Sequence, residues 1–254
     1  MRLIAAHDGK LHTLHPDIHA IGPASDRAFS SSLPDLDALA PGGAFARGAV
    51  HELLTEPQDG KATFIAMLLA MAQGRDSSAP GPSTPCSVST GAIIWCDPAG
   101  ELYPPAFAAH GFPLDRLFLL QPRSPDPNGK DLIWAASECL RCKGVGAVVA
   151  PLQRLSRIEA RRLQLAAERG GGVGILLRHT GRHSSQHAAA TRWLVRPTPG
   201  SRTIQRWTIQ LLHGHGGRVG QTLCLEHCRE TNRLHTFNPM ADRQVEPQPA
   251  VRAS

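Results

Sequence analysis

Short apolar runs alternate with helix-forming segments along the first 180 residues of the chain. The apolar runs have the length of buried strands, and their limits are 49–54, 92–96, 116–120, 146–150 and 173–177. The helix-forming segments between them are 63–73, 105–110, 131–142 and 156–169, after a short helical turn within 34–43. Strands that alternate with helices in this way predict a largely parallel sheet with right-handed crossover connections.

The pattern changes after residue 178. A polar stretch is followed by three strand-like runs without intervening helices, at 191–196, 206–212 and 221–226. We expect these runs to extend the same sheet with antiparallel strands. The sequence therefore predicts an α/β fold in three parts: an irregular N-terminal arm at 1–33, one domain at 34–238, and a disordered tail at 239–254.

The helix at 156–169 has a broad apolar side and a charged side. The residues expected to be buried are Leu155, Ile158, Leu163, Leu165 and Ala166. Arg162 falls on the same side, where its aliphatic stem would run to the edge of the buried surface. At the helix 131–142, Asp131 is the expected N-cap residue.

Composition excludes some classes of protein and leaves others open. The longest apolar runs fall short of the roughly 18 residues of a membrane span, so we expect a cytoplasmic protein whose six cysteines are free thiols. The net charge of +6 is unevenly distributed, because residues 151–254 hold 16 arginines against 6 acidic residues. Such a basic half fits a polyanionic partner such as nucleic acid, although an arginine-rich solvated surface would have the same composition.

Residues 48–63 have the order strand, loop, helix that a phosphate-binding loop requires, because backbone N–H groups at a helix start can hold phosphate oxygens. The usual pattern is glycine, four residues, glycine, lysine, and then serine or threonine. Gly60 and Lys61 match this pattern. Thr55 replaces the first glycine and Ala62 replaces the hydroxyl residue that would hold Mg²⁺. The phosphate loop is therefore degenerate.

Several runs, taken together and in order, resemble RecA-type recombinases and most closely the ImuA family. They are GAVHELL, WCDPAGELYPPAFAAHGFPLDRLFLL, IWAASECLRCKGVGAVVA, RRLQLAAE, GILLR and TRWLVRP, and they span about residues 40–226. This resemblance implies a RecA-like three-layer fold with a mostly parallel central sheet. It also implies an accessory role in the SOS response, in error-prone synthesis past DNA lesions. The implied partners are ImuB, an inactive relative of Y-family polymerases, and an error-prone replicative-type polymerase subunit, with RecA and single-stranded DNA as further candidates.

The remaining parts of a RecA-type ATPase are also incomplete. Thr63 lies one residue beyond the hydroxyl position, about 100° around the helix, and so would face away from a metal ion. The run 146–150 ends without the carboxylate that should support Mg²⁺, and Asp97 and Glu101 are out of register with the glutamate that activates water. We expect no ATP hydrolysis and no bound cofactor. Gly60, Lys61 and Thr63 would form a vestigial phosphate loop, and weak nucleotide binding without turnover stays open.

The polar segment 178–190 lies where RecA-type proteins carry a mobile loop that contacts DNA. By this resemblance, Arg178, Arg182 and Arg192 are candidates for sequence-independent phosphate contacts. An ordinary polar loop would have the same composition.

Two groups of side chains are candidate metal ligands. One is the cysteines at 139, 142, 224 and 228, and the other is the histidines at 179, 183 and 187. The cysteine spacings do not match a zinc finger or ribbon, so we expect free thiols. The histidines recur every four residues, as on one face of a helix, but Gly181 and two serines between them indicate a loop, so we expect no metal site there.

Three functions compete on this basis. The first is a non-catalytic adaptor that acts through protein partners in translesion synthesis. The second is a cell-division inhibitor similar to SulA, which shares the lineage and lacks the ATP machinery; the strands after residue 191 and the basic half favour the adaptor. The third, an active DNA-dependent ATPase, is disfavoured by Ala62 and Ala150.

Overall fold

The computed structural model describes residues 28–56, 65–66, 69, 91–180 and 189–237 in full, and the backbone alone of 2–7 and 10–13. The strands are β1 Arg2–His7, β2 Lys10–Thr13, β3 Ala28–Phe29, β4 Phe45–Ala46, β5 Ala49–Thr55, β6 Ala92–Cys96, β7 Leu117–Gln121, β8 Val145–Pro151, β9 Val173–His179, β10 Thr191–Thr198, β11 Ile204–Gly214, β12 Thr222–Cys228 and β13 Arg233–Phe237. The helices are α1 Pro34–Asp37, α2 Pro104–Ala108, α3 Lys130–Arg141 and α4 Arg157–Gly170. Ile65, Ala66 and Leu69, inside the predicted helix 63–73, are also helical.

Eleven of the described strands form one mixed sheet in the order β13-β12-β11-β10-β5-β9-β8-β6-β7-β1-β2. The six strands from β10 to β7 in this order run parallel to one another. Strands β11, β12 and β13 continue the sheet with antiparallel pairing. The predicted α/β fold, with a parallel core extended by antiparallel C-terminal strands, is confirmed.

The opposite edge of the sheet differs from the sequence-based expectation of an irregular arm at 1–33. Strand β1 pairs antiparallel with β7, with Arg2 opposite Gln121, and β2 pairs antiparallel with β1. Strand β3 forms a separate two-stranded sheet with β4. The described parts of the arm are therefore strands, and two of them cover the β7 edge of the central sheet.

Apolar residues cover both faces of the sheet, which gives three layers. On one face Val50, Ile94, Val148 and Leu176 pack in a cluster with residues of α3 and α4. On the other face a larger cluster includes the buried residues Leu53, Ile65, Trp95, Phe107, Trp193 and Trp207. Successive strand residues point to opposite faces, so β5 supplies both clusters from alternate positions.

Helix α4 begins at a capping box. The Ser156 hydroxyl accepts from the Glu159 N–H, and the Glu159 carboxylate accepts from the Ser156 N–H at 2.8 Å. The helix ends at Gly171, whose φ of 79° lies in the left-handed region that favours glycine. Sequence signals at both ends therefore determine the length of this helix.

The buried side of α4 is narrower than its sequence predicted. Leu163 and Ala166 are buried as expected, but Ile158 is 83% exposed and Leu165 is 39% exposed. Each lies about 140–160° around the helix from Leu163, because successive residues are about 100° apart. The prediction that Ile158 and Leu165 are core residues is therefore wrong.

The N-cap prediction for α3 is also wrong. Gly129 is the N-cap residue, and Asp131 lies in the first turn. The carboxylate of Asp126 accepts from the N–H groups of Lys130 at 3.1 Å and Leu132 at 3.0 Å, which satisfies the donors of that turn.

Within the part of the chain that the structure describes, no helix has the length and apolar character needed to cross a membrane.

Candidate functional site

The carboxyl ends of parallel strands are where α/β proteins of this class bind ligands. Strand β5 ends at Thr55, which is buried, and the Thr180 N–H donates to the Thr55 carbonyl oxygen at 2.7 Å. Thr55, at which the sequence predicts a degenerate phosphate loop to begin, therefore lies at this edge of the sheet. Gly60, Lys61 and Thr63, together with Ala62, lie outside the described residues, so their role as a vestigial loop stays a prediction.

Strand β8 lies two positions from β5, with β9 between them. Its residues from Val145 to Ala150 are all buried, and Leu152 beyond its end is buried as well. This strand end offers apolar side chains where a RecA-type enzyme would place the carboxylate that supports Mg²⁺.

Asp97 follows β6 directly, and its carboxylate closes a turn. It accepts from the N–H groups of Glu101 at 3.0 Å and Leu102 at 3.3 Å, and from the Gln121 side-chain amide at 3.2 Å. The residue is 7% exposed. Three donors to one buried carboxylate give Asp97 a structural task in the loop that leads to α2.

A buried cluster of charges lies beneath the same edge, on the α3/α4 side of the sheet. The Glu52 carboxylate pairs with the Arg178 guanidinium at 3.1 Å and with the Arg192 guanidinium at 2.8 Å. The Glu52 side chain is 0% exposed, and those of Arg178 and Arg192 are 4% and 10% exposed. One carboxylate therefore serves two buried cations, which leaves the cluster with a net charge of +1.

Strand register explains why these three residues meet. Arg192 of β10 lies directly opposite Glu52 of β5, and Arg178 of β9 lies opposite Leu54, two residues further along. Directly opposite and diagonal neighbours on one face of a sheet are within reach of long side chains. A lone glutamate inside the apolar run 49–54 was the sequence signal for a buried charge, but its partners depend on register.

This burial changes the interpretation of the predicted DNA contacts. Arg178 is 3% exposed and directs its guanidinium to Glu52, so it does not reach a phosphate from this position. Arg192 is 8% exposed and shares the same carboxylate. Arg182 lies outside the described residues. We therefore assign Arg178 to the core, and the DNA contacts expected of Arg182 and Arg192 stay predictions.

A neutral hydrogen-bonded chain occupies the opposite face of β5. The Trp193 indole N–H donates to the Thr191 hydroxyl oxygen at 2.7 Å, the hydroxyl lies 2.7 Å from His51 Nδ1, and His51 Nε2 lies 2.9 Å from the Ala46 carbonyl oxygen. This order fits a neutral histidine with its proton on Nε2. Complete burial lowers the pKa of His51 to about 4, partly opposed by the bond to Ala46.

The cysteines do not form a metal centre among the described residues, where no group of three or more potential ligands comes together. Cys139 lies on α3 and Cys142 at its end, whereas Cys224 and Cys228 lie on β12. Burial raises the pKa of the Cys139 thiol to about 12, so it stays protonated at neutral pH.

Comparison with known proteins agrees with this architecture. No family model matches the chain. Two curated relatives, both named Protein ImuA and from two strains of Caulobacter vibrioides, NA1000/CB15N and ATCC 19089/CB 15, are 28% identical over 208 residues. The match covers 74% of this chain and 78% of each relative. The crystal structure of the RadB recombinase superposes with a TM-score of 0.58 at 13% identity, covering 82% of this chain and 99% of that chain. The chain is therefore a homologue of Protein ImuA with the fold of a RecA-like recombinase.

Proposed function

We propose that this chain is a non-catalytic accessory protein of damage-induced, error-prone translesion DNA synthesis, and that it acts by binding protein partners. The homology to Protein ImuA supports this role. An accessory role in translesion synthesis is what the resemblance to the ImuA family implies. The fold alone does not select it, since one fold supports many functions.

One observation supports the absence of catalysis in this proposal: charged residues near the carboxyl edge of the parallel strands already bond to other parts of the protein. Glu52 is paired with Arg178 and Arg192 inside the protein, and the Asp97 carboxylate closes a turn. The end of β8 is apolar. A phosphoryl-transfer site needs carboxylates that are available to hold Mg²⁺ and to orient water. Of the carboxylates near this edge, the buried ones of Glu52 and Asp97 already have structural partners.

The partner we propose is an ImuB-like inactive homologue of Y-family polymerases, together with an error-prone replicative-type polymerase subunit. The test is co-expression and co-purification of an affinity-tagged copy of this chain with the ImuB-like protein. We expect the two proteins to elute together by size-exclusion chromatography. Separate elution at micromolar concentrations would contradict the proposal.

A variant that lacks the C-terminal residues tests whether they take part in partner binding. Strands β12 and β13 belong to the central sheet, so a deletion that begins at residue 227 would remove paired strands and disturb the fold. Ending the chain after Phe237 keeps every described strand and removes only residues 238–254. Comparing this variant with the full chain asks whether those residues contribute to partner binding.

A further inference from the structure

A groove of about 990 Å³ lies between helix α4 and the neighbouring strands β10 and β11. It shares Arg192 with the buried charge cluster, and the rest of its lining extends along α4. Six arginines line it: Arg141, Arg157, Arg161, Arg162, Arg169 and Arg192. Its remaining lining includes the apolar side chains Ile158, Leu165 and Leu212, and none of the described residues that line it is acidic.

The apolar side chains of the groove are unusually open to solvent. Ile158 is 83% exposed, Leu165 is 39% exposed and Leu212 is 37% exposed. Single exposed apolar residues are ordinary on protein surfaces, but several that converge on one concave surface indicate an interaction site. Ile158 and Leu165 are seven residues apart on α4, which places them on one face about 10 Å apart along the helix axis.

The lining of this groove carries an excess of positive charge, although Arg141 pairs with Glu138 at 2.8 Å and Arg192 pairs with Glu52 at 2.8 Å. Among the described residues, no acidic side chain forms an ion pair with Arg157, Arg161 or Arg169. The acids nearest in sequence have other bonds: Glu159 caps α4, and Glu168 accepts from the Gln164 side chain at 3.1 Å. Residues 181–188, which precede β10, contain no Asp or Glu. The groove therefore favours an anionic partner.

Single-stranded nucleic acid and an acidic helix are both anionic, but they need different uncharged side chains in the surface that binds them. Surfaces for single-stranded nucleic acid combine cations with aromatic side chains on which bases stack. The part of the chain that the structure describes contributes no Phe, Tyr or Trp to the lining of this groove. An amphipathic helix instead presents apolar residues at spacings of three, four and seven to a hydrophobic groove. The aliphatic pair on α4, flanked by arginines, matches such a helix if acidic residues border its apolar face.

We propose that this groove binds an acidic amphipathic helix of a partner protein. The inference rests on the proposed function, since it specifies where an accessory protein of this kind would hold a partner. Apolar residues of the bound helix cover Ile158, Leu165 and Leu212. Its carboxylates pair with arginines on both sides, so binding weakens as salt concentration rises.

The test uses the full chain and a fluorescein-labelled synthetic helix of about 18 residues, with leucines at spacings of three and four and glutamates beside them. A peptide of the same composition in scrambled order and an oligothymidine are the comparison probes. Fluorescence anisotropy measures binding at low and physiological salt. We expect the helical peptide to bind at least about tenfold more tightly than the scrambled peptide.

Two variants and two matched controls assign the binding to the groove. Ile158→Asp and the double variant Arg161→Glu/Arg169→Glu should each weaken peptide binding by at least about tenfold. Tyr103→Asp changes another exposed apolar residue, and Arg123→Glu/Arg202→Glu makes the same charge change away from the groove. Both controls should bind the peptide like the unsubstituted chain. Far-UV circular dichroism confirms that each variant is folded.

Three outcomes of these anisotropy measurements would overturn the inference. The first is no binding of the helical peptide, or equal binding of the helical and scrambled peptides. The second is unchanged peptide binding by Ile158→Asp. The third is binding of oligothymidine that is lost in Arg161→Glu/Arg169→Glu and kept in Ile158→Asp. That result would show that the groove binds nucleic acid.

A parallel co-purification separates this inference from the proposed function. If the unsubstituted chain and the groove variants all co-purify with the ImuB-like protein, the groove inference fails and the proposed function stands. If the unsubstituted chain does not co-purify, the proposed function fails whatever the peptide does.

Discussion

Replacing Glu52 by glutamine tests the most consequential interaction in the core of this protein. The substitution keeps the size and shape of the side chain and removes the one negative charge that Arg178 and Arg192 share. Removing one partner of a buried ion pair costs about 3–5 kcal/mol, because the remaining charge is left without compensation in a medium of low polarisability. Both guanidinium groups would lose this carboxylate, so we expect a loss within that range.

The size of this effect can be compared with the whole stability of a domain. A free energy of unfolding of about 5–15 kcal/mol is typical, so Glu52→Gln should remove a large part of it. For a chain of this length the loss corresponds to a fall in Tm of about 10 °C. Urea unfolding followed by tryptophan fluorescence measures it, because Trp193 and Trp207 lie in the core.

Two further variants make the test specific. Glu56→Gln disrupts a solvent-exposed pair with Arg196 at 3.6 Å and should change stability by less than about 1 kcal/mol. Arg178→Met leaves Glu52 paired with Arg192 as a neutral unit, so it should cost less than Glu52→Gln. The reasoning is refuted if Glu52→Gln is as mild as Glu56→Gln, or if Arg178→Met is the more damaging of the two core substitutions.

Two other expectations follow from local structure. Burial lowers the pKa of His51 from 6.5 to about 4, so the fold favours the neutral imidazole. Its contribution to the free energy of unfolding is complete above pH 6.5, and up to about 3 kcal/mol of that free energy is lost as the pH falls toward 4. Urea titrations across this range should show a weaker pH dependence for His51→Gln, and an unchanged one would contradict the assignment. Ser156→Ala removes the side-chain cap of α4 and should cost about 1 kcal/mol in the same assay, whereas Ser124→Ala in an exposed loop should be neutral.

The parallel core of the fold could be predicted from sequence because its strands are buried on both faces. Such strands appear as short continuous apolar runs, of which β6 and β8 are the clearest. Strand β1 has no comparable local signal. Its place in the sheet depends on pairing with β7, more than 100 residues later, which local periodicity does not report.

The candidate site was less predictable for a related reason. Glu52 and the arginines at 178 and 192 are distant in sequence and meet only through the register of three parallel strands. The sequence predicts Arg178 at the start of the polar segment 178–190, although it belongs to strand β9, whereas Arg192 lies in a strand as its sequence predicts. The sequence does not predict the groove, because its pattern places Ile158 on the apolar side of α4, whereas this side chain is exposed.

The central claim is that this chain keeps a recombinase-like fold without its reaction. Steady-state release of phosphate from ATP, with Mg²⁺ and with or without single-stranded DNA, tests that claim most directly. We expect the chain and its Lys61→Ala variant to give the same rate as the buffer alone. ATP turnover that the unsubstituted chain shows and Lys61→Ala abolishes would contradict the claim.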